Sequence, residues 1–124
     1  MAGREAVLLH PDDAAERGIA QGDVVRIFND RGACLGGAQL SGDLLRGVVV
    51  MPTGAWFDPQ GAALERHGNP NVLTVDVGTS RLAQGPSALS ALVQVERWQG
   101  AAPAVQAFEP PALETLVDSD PQRR

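Results

Sequence analysis

"AVLLHPDDAAERGIAQGDVVRIFNDRG", residues 6–32, sets the class of fold. Ala6 to Leu9 is an apolar run of a length suited to a buried strand. Pro11 suits the first position of a helix, and Asp12 and Asp13 follow where the helix dipole favours anions. Gly18 supplies the left-handed residue that ends so short a helix, with Arg17 in its last turn. After a turn at Gln21-Gly22-Asp23, Val24 to Phe28 reads as a second strand, closed by the hairpin turn Asn29-Asp30-Arg31-Gly32.

The same grammar continues outward. Strands are expected around Cys34 to Leu40 and Val48 to Met51, split by Ser41-Gly42-Asp43, then in "VLTVDV" (72–77) and "ALVQVERW" (91–98). In the last of these, Val93, Val95 and Arg97 alternate with Gln94, Glu96 and Trp98, as in a strand with one wetter face. Fourteen glycines and nine prolines punctuating short strands favour a barrel or sandwich over a helical domain. A closed, mixed barrel of about six strands with short rim helices follows, ordered from roughly Ala6 to Trp98. Residues 1–98 are read as one barrel domain and 99–124 as an extended, lightly anchored tail.

Composition removes several classes of function. At 124 residues there is room for one domain with a real core, and 44% hydrophobic residues is an ordinary globular share. No window reaches the roughly 18 apolar residues that would span a bilayer. Net charge is −5, with ten arginines and no lysine, a poor basis for nucleic-acid binding. Cys34 stands alone, so an internal disulfide is excluded, and His10 and His67 form no ligand-spaced pair; no protein-only metal site is expected.

Three ordered blocks carry a resemblance. "GRE" with "HPDDAAERGIAQGDVVRIFNDRG", then "GVVVMPTGAWFDP" (47–59), then "ERHGNPNVLTVDVGTSRLAQGPSA" (65–88) resemble the C-terminal domain of bacterial molybdopterin oxidoreductases. The likeness is to the dimethyl sulfoxide, trimethylamine N-oxide and biotin sulfoxide reductases, and "VERWQGAAPAVQAFEPP" (95–111) looks like that subgroup's ending. The resemblance implies a six-stranded double-psi β-barrel, of the aspartate-decarboxylase type, closing over molybdenum-bis(molybdopterin guanine dinucleotide). It implies that the molybdenum ligand lies in other domains, that those domains are the partners with which the cofactor is bound, and that this chain is not catalytic in isolation. The expectation is an excised or free-standing cofactor-closing domain, from either cytoplasm or periplasm, with no residue singled out as catalytic.

Asn71 occupies the position at which the family places a cofactor-contacting asparagine, just before the expected strand "VLTVD". A carboxamide offers donor and acceptor together and can pair with a pterin edge, which makes Asn69 a cofactor-binding candidate beside Asn71; a turn residue around Pro70 is the plainer reading. Gln84 and Gly85 form a second candidate pair, an amide beside a residue that admits close backbone approach, with Ser87 adding a hydroxyl. Gly85-Pro86 as ordinary loop punctuation is the alternative. Trp56 is assigned nearer the site than Phe57, which suits the core. Arg66 suits a pyrophosphate or a solvated pair with Glu65; His67 and Arg81 rank with it. The expectation is that Asn71 and Gln84 line one concave face at a barrel mouth, flanked by Trp56, with both amides unpaired. Asp12, Asp13 and Glu16 read as helix capping and solvation rather than an acid–base pair, and Cys34 as a buried, inert thiol.

Two other classes of function use barrels of this type. Aspartate decarboxylase shares the barrel type but cleaves a Gly-Ser bond to make its pyruvoyl group, and no Gly-Ser occurs here. A free-standing barrel acting as a protein-interaction module would show an exposed apolar or charged groove, and would leave the Asn71 and Gln84 blocks without purpose.

Overall fold

The computed structural model describes residues 2–87 and 91–113. Among these described residues the chain is mainly β, with one short α-helix and seven short strands in a single curled, half-barrel sheet. The strands are β1 (Ala6–Leu9), β2 (Val24–Phe28), β3 (Ala33–Leu40), β4 (Val49–Val50), β5 (Pro59–Gln60), β6 (Leu64–Glu65) and β7 (Gln94–Arg97). The helix α1 spans Pro11–Glu16. Pro11 opens it as the sequence indicates, and the His10 ring Nδ1 accepts from the Asp12 N–H at 3.1 Å, a cap the sequence reading did not assign. It closes through Arg17 N–H and Ile19 N–H to the Ala14 carbonyl, with Gly18 at φ +65° between them. Asp13 and Glu16 are tied to Arg46 at 2.9 and 2.5 Å, and Asp13 also accepts from the Gly47 N–H at 2.6 Å, so these carboxylates brace α1 against the β3–β4 connection.

β3 is the spine. It runs parallel to β1 (Ala6↔Gly37 to Leu9↔Leu40) and antiparallel to β2 (Val24↔Gly37 to Phe28↔Ala33). Ahead of the start of β1 it meets β6 in parallel at Cys34↔Glu65, so β6 and β1 follow one another along the same edge of β3. β4 extends the sheet beyond β1 and β7 extends it beyond β2, both antiparallel. Residues 33–38 are buried without alternation, because both faces of β3 are covered. Small residues make that possible: a Cβ on Gly36 would lie 2.3 Å from Val7 Cγ2 and 3.2 Å from the Glu5 carbonyl oxygen. The core holds Val7, Leu9, Ala14, Ile19, Val25, Ile27, Cys34, Ala38 and Leu73. Burial, reinforced by Glu65, pushes the Cys34 thiol up to about 12, as an inert core thiol requires.

One expected strand is not formed. "VLTVDV" begins as a 3-10 turn, Pro70–Val72, with Asn69 as its N-cap and Pro70 at the first position. Leu73 follows and is 3% exposed, while Val75 and Val77 stand exposed with no ladder partner. The β-branched alternation is genuine, but the Asn69 cap and the burial of Leu73 turn the chain inward before a strand can start. Strand ends also contract, Val48–Met51 to Val49–Val50 and 91–98 to Gln94–Arg97.

Gly36→Ala is expected to destabilise the chain by about 1–3 kcal/mol, the usual cost of overpacking a filled core. Urea unfolding of the variant beside the parent measures it, and a change below about 0.5 kcal/mol would contradict the spacing between β3 and β1.

Candidate functional site

The loop between β6 and the 3-10 turn is built around one buried carboxylate. Glu65 is 1% exposed. Its Oε1 accepts the N–H groups of His67 at 2.9 Å and Asp58 at 3.2 Å; its Oε2 accepts those of Gly68 and Asn69, each at 2.7 Å. Three successive amides thereby converge on one acidic group, which works as a fixed local anion for the turn. Gly68 makes the convergence possible. It sits at φ +101°, and a Cβ there would lie 2.9 Å from Glu5 Cβ. The His67 carbonyl meanwhile accepts from Glu5 N–H at 2.9 Å, which fastens the loop to the start of β1.

Asn69 carries the order forward. Its Nδ2 donates to the Ala55 carbonyl at 3.0 Å, and its Oδ1 accepts the Asn71 N–H at 3.0 Å. Both ends of this side chain are occupied, so Asn69 positions the loop rather than presenting a free group. His67 is likewise buried, with Nδ1 3.1 Å from the Trp56 carbonyl and its ring edge-on to Phe108 at 5.0 Å.

Asn71 is exposed, and its carboxamide makes no hydrogen bond to the described residues. It stands over a groove of about 360 Å³ whose apolar lining includes Val49, Met51, Leu73 and Val93, with Thr53 and Thr74 among the polar residues. The groove lies where β4 and the approach to β7, at opposite ends of the sheet order, come within reach of one another.

The structure does not bring Gln84 and Trp56 to that groove. Residues 78–87 form a hairpin-like loop, with a bridge at Gly78↔Pro86 and Thr79 N–H bonded to the Gly85 carbonyl at 2.9 Å. Gln84 Nε2 donates to the Ser80 carbonyl at 3.0 Å and the Arg81 carbonyl at 3.3 Å, so its amide is paired, contrary to the sequence expectation. Ser87 Oγ donates to the Val77 carbonyl at 2.7 Å. Of this block, Pro86 reaches the groove lining. Trp56, 67% exposed, instead faces Phe108 with ring centroids 6.2 Å apart. Phe57, assigned to the core, is 62% exposed.

Arg66 is neither solvated nor paired with Glu65. Its side chain is 12% exposed and donates to Asp58 Oδ1 at 2.5 Å, to the Pro59 carbonyl at 3.3 Å and to Gln106 Oε1 at 3.0 Å. The reason is geometric. The Glu65 oxygens are already filled by backbone donors, which leaves the Asp58 carboxylate for the guanidinium. Glu65, Asp58 and the tail residues Gln106 and Phe108 are the participants that sequence reading missed. A glutamate just ahead of a Gly-Asn turn, whose amides need an acceptor, is the signal that was available.

Among the described residues no three His, Cys, Asp or Glu side chains gather as a metal would need, and no helix is long and apolar enough to cross a membrane.

Residues 1–92 match the model of the molydopterin dinucleotide binding domain. The chain belongs to that family. It is 51% identical over 109 residues to the biotin sulfoxide reductase of Cereibacter sphaeroides, covering 86% of this chain and 15% of the relative. It is 50% identical over 104 residues to trimethylamine-N-oxide reductase 1 of Escherichia coli K12, and 44% over 113 residues to the dimethyl sulfoxide/trimethylamine N-oxide reductase of Rhodobacter capsulatus. Those alignments cover 81% and 88% of this chain but 12% and 14% of the relatives. The chain thus spans about one seventh of the length of each.

Two expectations follow for this molydopterin dinucleotide binding domain. Glu65→Gln replaces an acceptor by a donor facing converging N–H groups, and should cost about 2–3 kcal/mol. Chemical denaturation measures this, and the amides of Gly68 and Asn69 should lose protection from exchange. The second concerns Asp58. Burial raises its carboxyl, but the Gln106 N–H and Arg66 outweigh burial and hold it below its ordinary value. Because the folded pKa is the lower one, its stabilisation is complete above the unfolded value near pH 4 and is lost as pH falls through the folded value. The stability gap between the parent and Asp58→Asn should therefore close as the pH is taken from 6 to about 2; a gap independent of pH would contradict the assignment.

Proposed function

We propose that this chain is the cofactor-binding domain of a molybdenum oxidoreductase that reduces an S-oxide or N-oxide. The observation that carries the reading is the Asn71 carboxamide. It is exposed, has no hydrogen-bond partner among the described residues and stands over an apolar groove, while everything beneath it is fixed by Glu65 and Asn69.

The donor set fits a pterin dinucleotide. A carboxamide can pair with an amide-like pterin edge, and the apolar groove lining suits a flat heterocycle. When bound, molybdenum-bis(molybdopterin guanine dinucleotide) supplies the redox chemistry of oxygen-atom removal. The residues of this chain bind and orient it. Asn71 reads the pterin edge, and Gln84, Gly85 and Ser87 offer further amide and hydroxyl contacts. Trp56 forms part of the wall leading to the site, and Arg66 and His67 act through the loop they brace. In this reading the half-barrel closes into a six-stranded double-psi barrel within residues 1–98, with 99–124 as its tail. The rest of the parent enzyme covers residues such as Leu82, now 97% exposed.

The test uses a full-length enzyme containing this domain. Asn71→Leu should reduce molybdenum and pterin content several-fold, while the 124-residue chain carrying the same change keeps its stability within about 0.5 kcal/mol. Undiminished cofactor content in the variant would overturn the reading.

A further inference from the structure

After β7 the chain returns across the loop that presents Asn71, and one side chain joins the two. Asp58 is 5% exposed. Its Oδ2 accepts the N–H groups of Gln106 at 2.7 Å and Ala107 at 3.2 Å, and its Oδ1 accepts from Arg66, which also donates to Gln106 Oε1. The Asp58 N–H itself donates to Glu65 Oε1 at 3.2 Å. From Glu65 the connection passes through Oε2 to the Asn69 N–H at 2.7 Å, then from Asn69 Oδ1 to the Asn71 N–H at 3.0 Å. Tail and Asn71 are therefore linked by an unbroken series of hydrogen bonds. Phe108 adds its ring contact to His67, and Arg4 donates to the Pro103 carbonyl.

We propose that residues 101–108 are a clamp that holds the Asn71 loop in position, with Asp58 as the positioning residue through which the clamp acts. The inference rests on the cofactor-contact role given to Asn71 above.

The physical case begins with the weakness of the loop alone. A 3-10 turn of three residues has little stability of its own, so the fixed geometry of Asn71 must be imposed by its surroundings. A group that reads a ligand edge has to be held to within about half an ångström, and supporting side chains do this only when they are themselves held. Glu65 is the first support, and Asp58 touches Glu65 directly. The tail forms no strand ladder of its own after β7 among the described residues. Phe108 remains 71% exposed, so apolar burial explains little of where the tail lies. Its polar ties to the loop run through Asp58 and Arg66, and the Asp58 carboxylate is shared between the tail amides and the Arg66 guanidinium. The tail thus docks on the side chain of the residue whose backbone N–H meets Glu65.

Amide hydrogen exchange on the 124-residue chain tests the clamp without any cofactor. In Asp58→Asn, exchange at His67, Gly68, Asn69 and Asn71 should quicken at least tenfold, with Val25 and Ile27 in the core unchanged. Phe108→Ala, at an exposed position that cannot endanger folding, should quicken the same amides a few-fold; it decides the matter if Asp58→Asn does not fold. Unchanged exchange at 67–71 in the variants that fold would overturn the proposal. So would equal quickening at Val25 and Ile27, because the tail would then add general stability rather than hold the loop. The cofactor-contact reading fails separately. Loosened amides together with undiminished pterin content in full-length Asn71→Leu would leave the clamp standing and remove only the role of the loop it holds.

Discussion

A single carboxylate buried against the turn that follows it is the constraint on which the functional end of this domain depends. Glu65 sits where β6 meets β3, and both of its oxygens are taken by backbone N–H groups. A buried acid with unfilled acceptor positions would be costly, and so would successive buried amides without an acceptor. Each debt cancels the other, and the result is a rigid turn where the chain would otherwise be loose. Replacement of Glu65 by an apolar residue would leave these donors unpaired at once, so the geometry of the turn depends on this one side chain.

That arrangement is possible because of how β3 is shared. β2 occupies one edge, and the other edge is divided between β1 and β6. The division leaves a short gap between the start of β1 and the end of β6, bridged by the Glu5–His67 backbone bond. Gly36 and Gly68 are the two residues whose lack of a side chain lets backbone segments close on that gap. The same small residues that bury β3 on both faces therefore also bring the Asn71 loop down onto the sheet. Fold and site share one packing problem.

Residues 6–40 were legible in the sequence because each element there is decided locally. Pro11 and Gly18 bracket a helix, Gly22 and Asn29 to Gly32 make turns, and the apolar runs between them have strand length. Legibility ended where distant partners decide. "VLTVDV" has the alternation of a strand, yet the Asn69 cap bonds to Ala55 and Leu73 drops into the core, and neither event is written in six residues. Glu65 and Asp58 look like surface charges in a string of letters, since acidic residues are seldom buried without partners, and their partners here are backbone groups, those of Asp58 lying in a tail 48 residues away. Family resemblance singled out Asn71 as a candidate, and the turn that holds its backbone was not foreseen. Arg66 shows the same lesson from the other side: its neighbour in sequence is Glu65, but its partner in space is Asp58.

Asn71 and Gln84, expected to act alike, are energetically different. The Asn71 carboxamide is exposed and makes no hydrogen bond to the described residues, and its backbone is already held through Asn69. A ligand edge that displaces water from it gains the new bonds with little ordering to offset them. Gln84 is committed to the carbonyls of Ser80 and Arg81. To turn its amide toward a ligand it must give up those bonds, at about 0.5–1.5 kcal/mol each, and leave two loop carbonyls to water. Its loop is also held by the Thr79–Gly85 bond and the Gly78↔Pro86 bridge, so backbone and side chain would have to change together. The same amide chemistry is thus pre-organised at one position and stored at the other. Under the proposed cofactor role, Asn71 would meet a heterocycle without first breaking a bond, whereas Gln84 would first have to release the Ser80 and Arg81 carbonyls.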